Sequence, residues 1–168
     1  MTPQVGETAR PIVLAVPDEC YASETLQRAF ALARAVDAPL HVVRVLTDMM
    51  PAQRLLRSVD VSRTVDCLRR ARAAGRRTSR WCEEVLHTPF LHDDAVRVRV
   101  RAGAMNRTTI DYARRVRARA VFVPSLPGFT PGMLQRLARR AGCAIMPGGD
   151  QLRHERVIDE GPPERRAS

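Results

Sequence analysis

Three short stretches of this chain are apolar at nearly every position. They are Ile12–Val16, Leu40–Leu46 and Ala120–Val123. Continuous runs of this length are typical of strands that are covered on both faces of a parallel sheet. A fourth run, Cys143–Met146, has the same character and predicts another buried strand.

The stretch Ala95–Arg101 has a different pattern, because valine and arginine alternate along it. Alternation with a period of two indicates a strand with one face on the core and the other toward water. A row of arginines also discourages pairing with a further strand. We therefore expect an edge strand here, followed by a turn at Gly103.

Apolar residues recur at spacings of three and four between these strands, which predicts helices. The first helix begins at Ser23, a favourable N-cap residue that is followed by an acidic residue. The second spans residues 60–86 and contains Gly75, whose missing side chain makes it an expected weak point.

Two further helices follow in the second half of the chain. One carries Ile110, and Asn106, Thr108 or Thr109 is expected to cap its start. The other ends at Gly142, because glycine readily adopts the left-handed conformation that stops a helix.

Five strands alternating with four helices predict a single doubly wound α/β domain. The domain is expected to span residues 11–147. An N-terminal extension (1–10) precedes it, and a polar, proline-bearing tail (148–168) follows it.

The chain of 168 residues has a formal net charge of +10, and all 28 of its basic residues are arginine. These arginines are spread along the chain, and its few aromatic residues are not interleaved with them. This pattern favours a solvated basic surface over a specific nucleic-acid site. No apolar run approaches the roughly 18 residues of a membrane span, and the N-terminus does not resemble a signal peptide. We expect a cytoplasmic protein with no membrane partner.

Two sets of residues have side chains that could react or bind a metal ion. The four cysteines, including Cys20 before the first helix, show no paired spacing, so reduced thiols are expected. Cys82, His87, His92 and Asp93 do not match the spacing of a familiar metal site. We predict no catalytic residue and no metal ligand.

Three segments resemble the universal stress protein family. They are IVLAVPDECYASETLQRAFALARAVDAPLHVVRVL, VRVRAGAMNRTTIDYARRVRARAVFVP and LQRLARRAGCAIMP. The resemblance implies a five-stranded parallel sheet in the order 3-2-1-4-5 with helices on both faces, as in the adenine-nucleotide alpha-hydrolase-like folds. This order agrees with the edge position predicted for Ala95–Arg101.

The loop after the fourth strand departs from the family pattern. ATP-binding members resemble G-x2-G-x9-G-[S/T] there, whereas this chain has Pro124 and Pro127 at the expected glycine positions. Proline lacks the N–H that would donate to a phosphate. Gly128, Thr130 and Gly132 remain as surrogates.

Two other positions depart from the pattern. Asp18 is displaced by one residue from the aspartate position after the first strand, which is Pro17 here. Arg117-Ala118-Arg119 stands where the family often has Gly-Ala-Asp before the fourth strand.

The resemblance places any nucleotide in a crevice at the carboxyl ends of the strands. The candidate binding residues are Val16, Pro17, Asp18, Val43, Val45, Gly103, Val123, Gly128, Thr130 and Gly132.

The resemblance implies a non-enzymatic stress-response or regulatory protein, and the departures from the family pattern indicate that it is not a typical ATP binder. We expect a homodimer formed through the last strand and a protein partner that the sequence does not identify. No cofactor is assigned, and ATP is the candidate. Two alternatives stay open: an adenine-nucleotide switch that uses the loop 124–132, and an ATPase or thiol-dependent enzyme on the same fold.

Overall fold

The computed structural model describes residues 9–17, 23–49, 61–87, 95–123 and 130–148. Within these ranges five strands alternate with four helices along the chain. The strands are β1 (Ile12–Val16), β2 (Leu40–Leu46), β3 (Val96–Ala102), β4 (Ala120–Val123) and β5 (Ala144–Pro147). The helices are α1 (Ser23–Ala35), α2 (Val61–Leu86), α3 (Met105–Arg115) and α4 (Pro131–Ala141).

The strands form one sheet in the order β3-β2-β1-β4-β5, and every neighbouring pair is parallel. β1 lies at the centre, where Ile12 is opposite Leu40 of β2 and Ala120 of β4. The predicted fold class and strand order are confirmed.

Two apolar cores lie on opposite faces of the sheet. Ile12 and Phe122 pack with Leu26 of α1 and Cys82 of α2 on one face, which we call the α1/α2 face. Val13 and its neighbours pack with α3 on the other, which we call the α3/α4 face. Because both faces are covered, every residue of β1, β2 and β4 is buried, which explains their continuous apolar runs.

β3 is an edge strand, as predicted, and its backbone directions follow from its hydrogen bonds to β2. The Leu40 N–H donates to the Ala95 carbonyl oxygen at 2.7 Å, and the Gly103 N–H donates to Leu46 at 3.1 Å. Alternate residues of a paired strand point their N–H and C=O groups to the same side. The odd-numbered residues of β3 therefore face β2, and the even-numbered ones face the open edge.

Each helix is followed by a residue with left-handed backbone geometry. The φ angles are 49° at Asp37, 51° at His87, 53° at Arg117 and 69° at Gly142. The predicted role of Gly142 is confirmed, because it is the C-cap of α4. Arg117 adopts the left-handed geometry although it is not a glycine.

The cap predicted for α3 is wrong. The helix begins at Met105, directly after the turn at Gly103, and Ala104 caps it without a side-chain hydrogen bond. Asn106, Thr108 and Thr109 consequently lie inside the helix, where Thr109 is buried.

The last apolar run forms a strand, but its predicted burial is wrong. β5 begins at Ala144, and its residues are half-buried or exposed. Ile145 and Met146 pack partly on the two cores, while the outer side of the strand lies at the edge of the described sheet.

α2 continues through Gly75 without a break. A Cβ atom at this position would lie 3.3 Å from Cγ2 of Val100. The missing side chain lets α2 approach β3 closely, so the glycine has a packing role and is not the weak point expected from helix propensity.

Candidate functional site

The strand order reverses between β1 and β4, so the two connections that leave their carboxyl ends run in opposite directions. In open parallel sheets this arrangement opens a crevice in which ligands bind. The predicted site residues Val16 and Val123 end β1 and β4, on the two sides of this point.

The four valines of the predicted site cannot present their side chains to a ligand. Val16 is 3% exposed and belongs to the core on the α1/α2 face. Val43, Val45 and Val123 are at most 4% exposed and belong to the core on the α3/α4 face. These four residues therefore contribute backbone atoms at most.

The start of α4 has few free hydrogen-bond donors. The Thr130 hydroxyl accepts from the Met133 N–H at 3.3 Å, and the Thr130 carbonyl accepts from the Leu134 N–H at 3.0 Å. Pro131, the first helical residue, has no N–H. Among residues 131–134, Gly132 is the one whose N–H is left for an anion within the described part of the chain.

Space is nevertheless available at Gly132. Nothing in the described residues lies within 4 Å of where its Cβ would be, and both Gly132 and Thr130 are exposed. The helix start is therefore accessible, but a phosphate cradle usually combines several backbone donors.

The remaining predicted site residues are more scattered. Gly103 follows the edge strand β3, two strand spacings or about 10 Å from β1. Pro17 is half-buried after β1. Asp18 and Gly128 lie outside the described residues, as do Pro124 and Pro127.

Sequence reasoning missed a polar pair on the α3/α4 face. The Tyr112 hydroxyl lies 2.9 Å from Nδ1 of His41, although the two residues are 71 positions apart in sequence. His41 is 8% exposed, and burial, together with the positive charges of Arg97 and Arg99, lowers the pKa of its imidazole to about 4. The histidine is therefore neutral near pH 7. A histidine within an otherwise apolar strand was the signal that could have indicated this pair.

Sequence reasoning also missed a buried positive charge. Arg44 is 2% exposed and points to the α1/α2 face, between Val16 and Val100 in the strand register. It therefore lies beside the carboxyl end of β1, at one side of the predicted crevice. The one arginine of the otherwise apolar β2 run was the available signal.

A cavity of about 710 Å³ opens at the amino ends of the strands, on the side of the sheet opposite to the predicted crevice. Its lining includes Pro11, Pro39, Ala95, His41 and Arg97, near the amino ends of β1, β2 and β3. Ligands of open parallel sheets bind at the carboxyl edge, so this cavity is not the predicted crevice.

Two of the described cysteines are poor nucleophiles. Burial raises the pKa of the Cys82 thiol to about 12, and burial also raises the pKa of the Cys143 thiol. Within the described ranges no three His, Cys, Asp or Glu side chains are grouped so as to hold a metal ion. Trp81 packs against the core on the α1/α2 face.

Comparison with solved structures gives the fold class: a doubly wound α/β domain of the universal stress protein type. A universal stress protein in complex with cAMP is 16% identical, with 83% of this chain and 96% of that chain covered and a TM-score of 0.50. The universal stress protein from Archaeoglobus fulgidus in complex with dAMP is also 16% identical. The match covers 83% of this chain and 98% of that chain, with a TM-score of 0.50. UspA from Lactobacillus plantarum is 19% identical, and the match covers 83% of this chain and 98% of that chain, with a TM-score of 0.50.

This chain therefore has the universal stress protein fold, and the resemblance expected from its sequence is confirmed at the level of the fold. No protein-family model and no curated protein sequence matches it. Among the helices of the described residues, none is long and apolar enough to cross a membrane.

Proposed function

We propose that this chain is a non-enzymatic stress-response or regulatory protein of the cytoplasm. It forms a homodimer, and it acts by binding other proteins. It is not a typical ATP binder. The start of α4 carries this proposal. Because Thr130 accepts from the Met133 and Leu134 N–H groups and Pro131 has none, Gly132 is the one donor left among residues 131–134 of the described chain, and a triphosphate needs several.

An adenine-nucleotide switch is the second candidate. Two proteins of the same fold are seen in complex with cAMP and dAMP, ligands with one phosphate group. A monophosphate needs fewer donors than ATP, and the open space at Gly132 is compatible with it. The buried guanidinium of Arg44 adds positive charge near the same edge. An enzyme on this fold has less support, because burial raises the pKa values of the Cys82 and Cys143 thiols.

Isothermal titration calorimetry with ATP and Mg²⁺, and separately with cAMP and dAMP, distinguishes these functions. We expect no saturable heat with ATP up to millimolar concentration. Gly132→Val places a branched side chain at this donor, in a space that no described atom fills, so the variant should fold. Gln135→Val, at an exposed position on the same helix, is the matched control.

Saturable ATP binding at micromolar concentration would contradict the main proposal if Gly132→Val abolishes it and Gln135→Val does not. Saturable heat with cAMP or dAMP alone would favour the monophosphate switch.

The homodimer is proposed to form through β5. This strand lies at one edge of the described sheet, and Ala144 is exposed although it lies within an apolar run. Sedimentation equilibrium should give twice the 18.8 kDa of one chain. Ala144→Arg should yield monomers, because it places a charge in the dimer interface, whereas Ala35→Arg at the exposed end of α1 should remain dimeric. A wild-type mass of 18.8 kDa would rule out the dimer.

A further inference from the structure

One face of the open-edge strand β3 carries three arginines in a line. Arg97, Arg99 and Arg101 point to the α3/α4 face of the sheet, opposite His41, Val43 and Val45 in the register. Arg97 and Arg99 are exposed, and Arg101 is half-buried. We call these three residues the arginine row.

The surroundings of the arginine row concentrate positive charge. The guanidinium carbon of Arg101 lies 5.3 Å from the centroid of the Tyr112 ring. Arg115, in the last turn of α3, adds a fourth guanidinium within electrostatic range of the same tyrosine. Burial lowers the pKa of His41, and the positive charges of Arg97 and Arg99 lower it further.

Two of these arginines fold back onto their own strand. Nη1 of Arg99 donates to the Val98 carbonyl at 3.1 Å, and Nη1 of Arg101 donates to the Val100 carbonyl at 2.9 Å. Val98 and Val100 are even-numbered, so these are carbonyls of the open edge. The guanidinium groups therefore bind the open-edge carbonyls of Val98 and Val100. The N–H groups of Val98 and Val100 face outward.

No strand of the described residues pairs with this edge of β3. A second copy of β3 is a poor partner, because arginine would lie opposite arginine and like charges in cross-strand pairs are destabilising. A strand with acidic residues at alternate positions has the opposite property. Its carboxylates repeat every two residues, about 6.7 Å, which is also the repeat of the arginine row.

We propose that β3 binds an extended segment of a partner protein in which acidic residues alternate with uncharged ones, added as a further strand to the sheet. The outward N–H groups of Val98 and Val100 donate to carbonyls of the segment. Its carboxylates accept from the guanidinium groups of Arg97, Arg99 and Arg101, because hydrogen bonds between charged groups are stronger than those to a carbonyl. The edge carbonyls, released in this way, accept from N–H groups of the segment.

This proposal names the partner chemistry of the interaction function proposed above, and it does not depend on nucleotide binding or on β5. A nucleic acid fits the arginine row less well, because binding of single strands relies on exposed aromatic rings that stack on bases. At this surface the Tyr112 ring is covered by Arg101, and its hydroxyl is bonded to His41.

The test uses fluorescence anisotropy at physiological salt with the full chain and three probes. The first is a labelled peptide in which glutamate and threonine alternate (ETETETETE). The second has the same composition with its glutamates in one block, and the third is a single-stranded DNA oligonucleotide. We expect the alternating peptide to bind about tenfold more tightly than the block peptide, since the alternating peptide alone matches the repeat of the row.

Arg97→Gln/Arg99→Gln should weaken binding of the alternating peptide about tenfold. The matched control is Arg72→Gln/Arg76→Gln, which removes the same charge from exposed positions of α2 and should change the affinity less than threefold. Hydrogen exchange gives an independent readout. The peptide should protect the amides of Val98 and Val100, whereas the amides of Arg97 and Arg99, already facing β2, should change little.

Equal affinity for the two peptides would overturn the proposal, as would equal losses in the two double variants, because both indicate a general basic surface. Tighter binding of the oligonucleotide would also overturn it in favour of nucleic acid. These outcomes do not involve α4 or β5, so they are distinguishable from failure of the nucleotide and dimer tests.

Discussion

Replacement of Phe122 by alanine is expected to lower the free energy of unfolding by about 3–5 kcal/mol. Phe122 is 1% exposed and lies on β4 next to the central strand, opposite Leu14 in the register. Its ring fills the core between the sheet and the helices of the α1/α2 face, and truncation leaves a cavity that the packed layers cannot fill. Urea denaturation followed by circular dichroism measures the change as a lower midpoint with an unchanged slope.

Leu68→Ala is the matched control for this prediction. Leu68 is 55% exposed on α2, so its truncation should change stability by less than about 0.5 kcal/mol. A loss below about 1 kcal/mol for Phe122→Ala would contradict the described packing of β4. A large loss for Leu68→Ala would mean that another surface covers this part of α2.

The stability of the protein is expected to fall as the pH decreases from 6.5 to 4 because of His41. The pKa of this imidazole is about 4 in the folded chain. Its ordinary value, which applies to the unfolded chain, is 6.5. Between these values the unfolded chain binds the proton more readily, so the neutral histidine stabilises the fold above pH 6.5. That contribution is lost as the pH falls toward 4. Each pKa unit corresponds to about 1.4 kcal/mol, so the full loss is about 3 kcal/mol.

The groups around His41 explain the direction of its pKa shift. Arg97 and Arg99 approach it from β3, and the Tyr112 hydroxyl from α3 is its hydrogen-bond partner. Arg34 and Asp37, at the end of α1, line the same cavity as His41. Burial is the largest cause of the lowered pKa, and the two arginines act in the same direction.

His41→Gln separates this effect from the titration of carboxylates. Glutamine keeps a polar partner for Tyr112 but does not titrate, so the variant should lose less stability than the wild type between pH 6.5 and 4. Urea denaturation at a series of pH values gives the comparison. Identical pH profiles for the two proteins would exclude His41 as the source.

The two proposed sites have different physical origins. The crevice at the carboxyl edge follows from the fold, and its chemistry depends on how many backbone donors α4 leaves free. The arginine row depends on side chains specific to β3, at an edge that the fold leaves open. A protein could therefore keep this fold, lose a phosphate cradle at Pro131 and Gly132, and still bind a partner at β3.

Several elements could be predicted from local pattern because burial leaves a periodic record in the sequence. Strands covered on both faces read as continuous apolar runs, as in Ile12–Val16, and the edge strand reads as alternation, as in Val96–Ala102. Gly142 could be predicted as a helix end because its left-handed φ is a local requirement.

Patterns that depend on neighbours were predicted less well. Cys143–Met146 reads like a buried strand, but its exposure depends on its place at the sheet edge. The start of α3 was misplaced because the turn at Gly103, and not a capping side chain, sets where the helix begins.

The sequence by itself determined which segments form strands and helices, because hydrophobic period and turn residues act over a few positions. The tertiary structure decided which side chains meet. It brings His41 to Tyr112 across 71 residues and buries Arg44 beside the end of β1. It also buries the valines of the predicted crevice in the two apolar cores. These outcomes depend on strand order and register, which are set by packing across the whole sheet. A local window of sequence can mark such a residue as unusual, but it does not give the residue's partners.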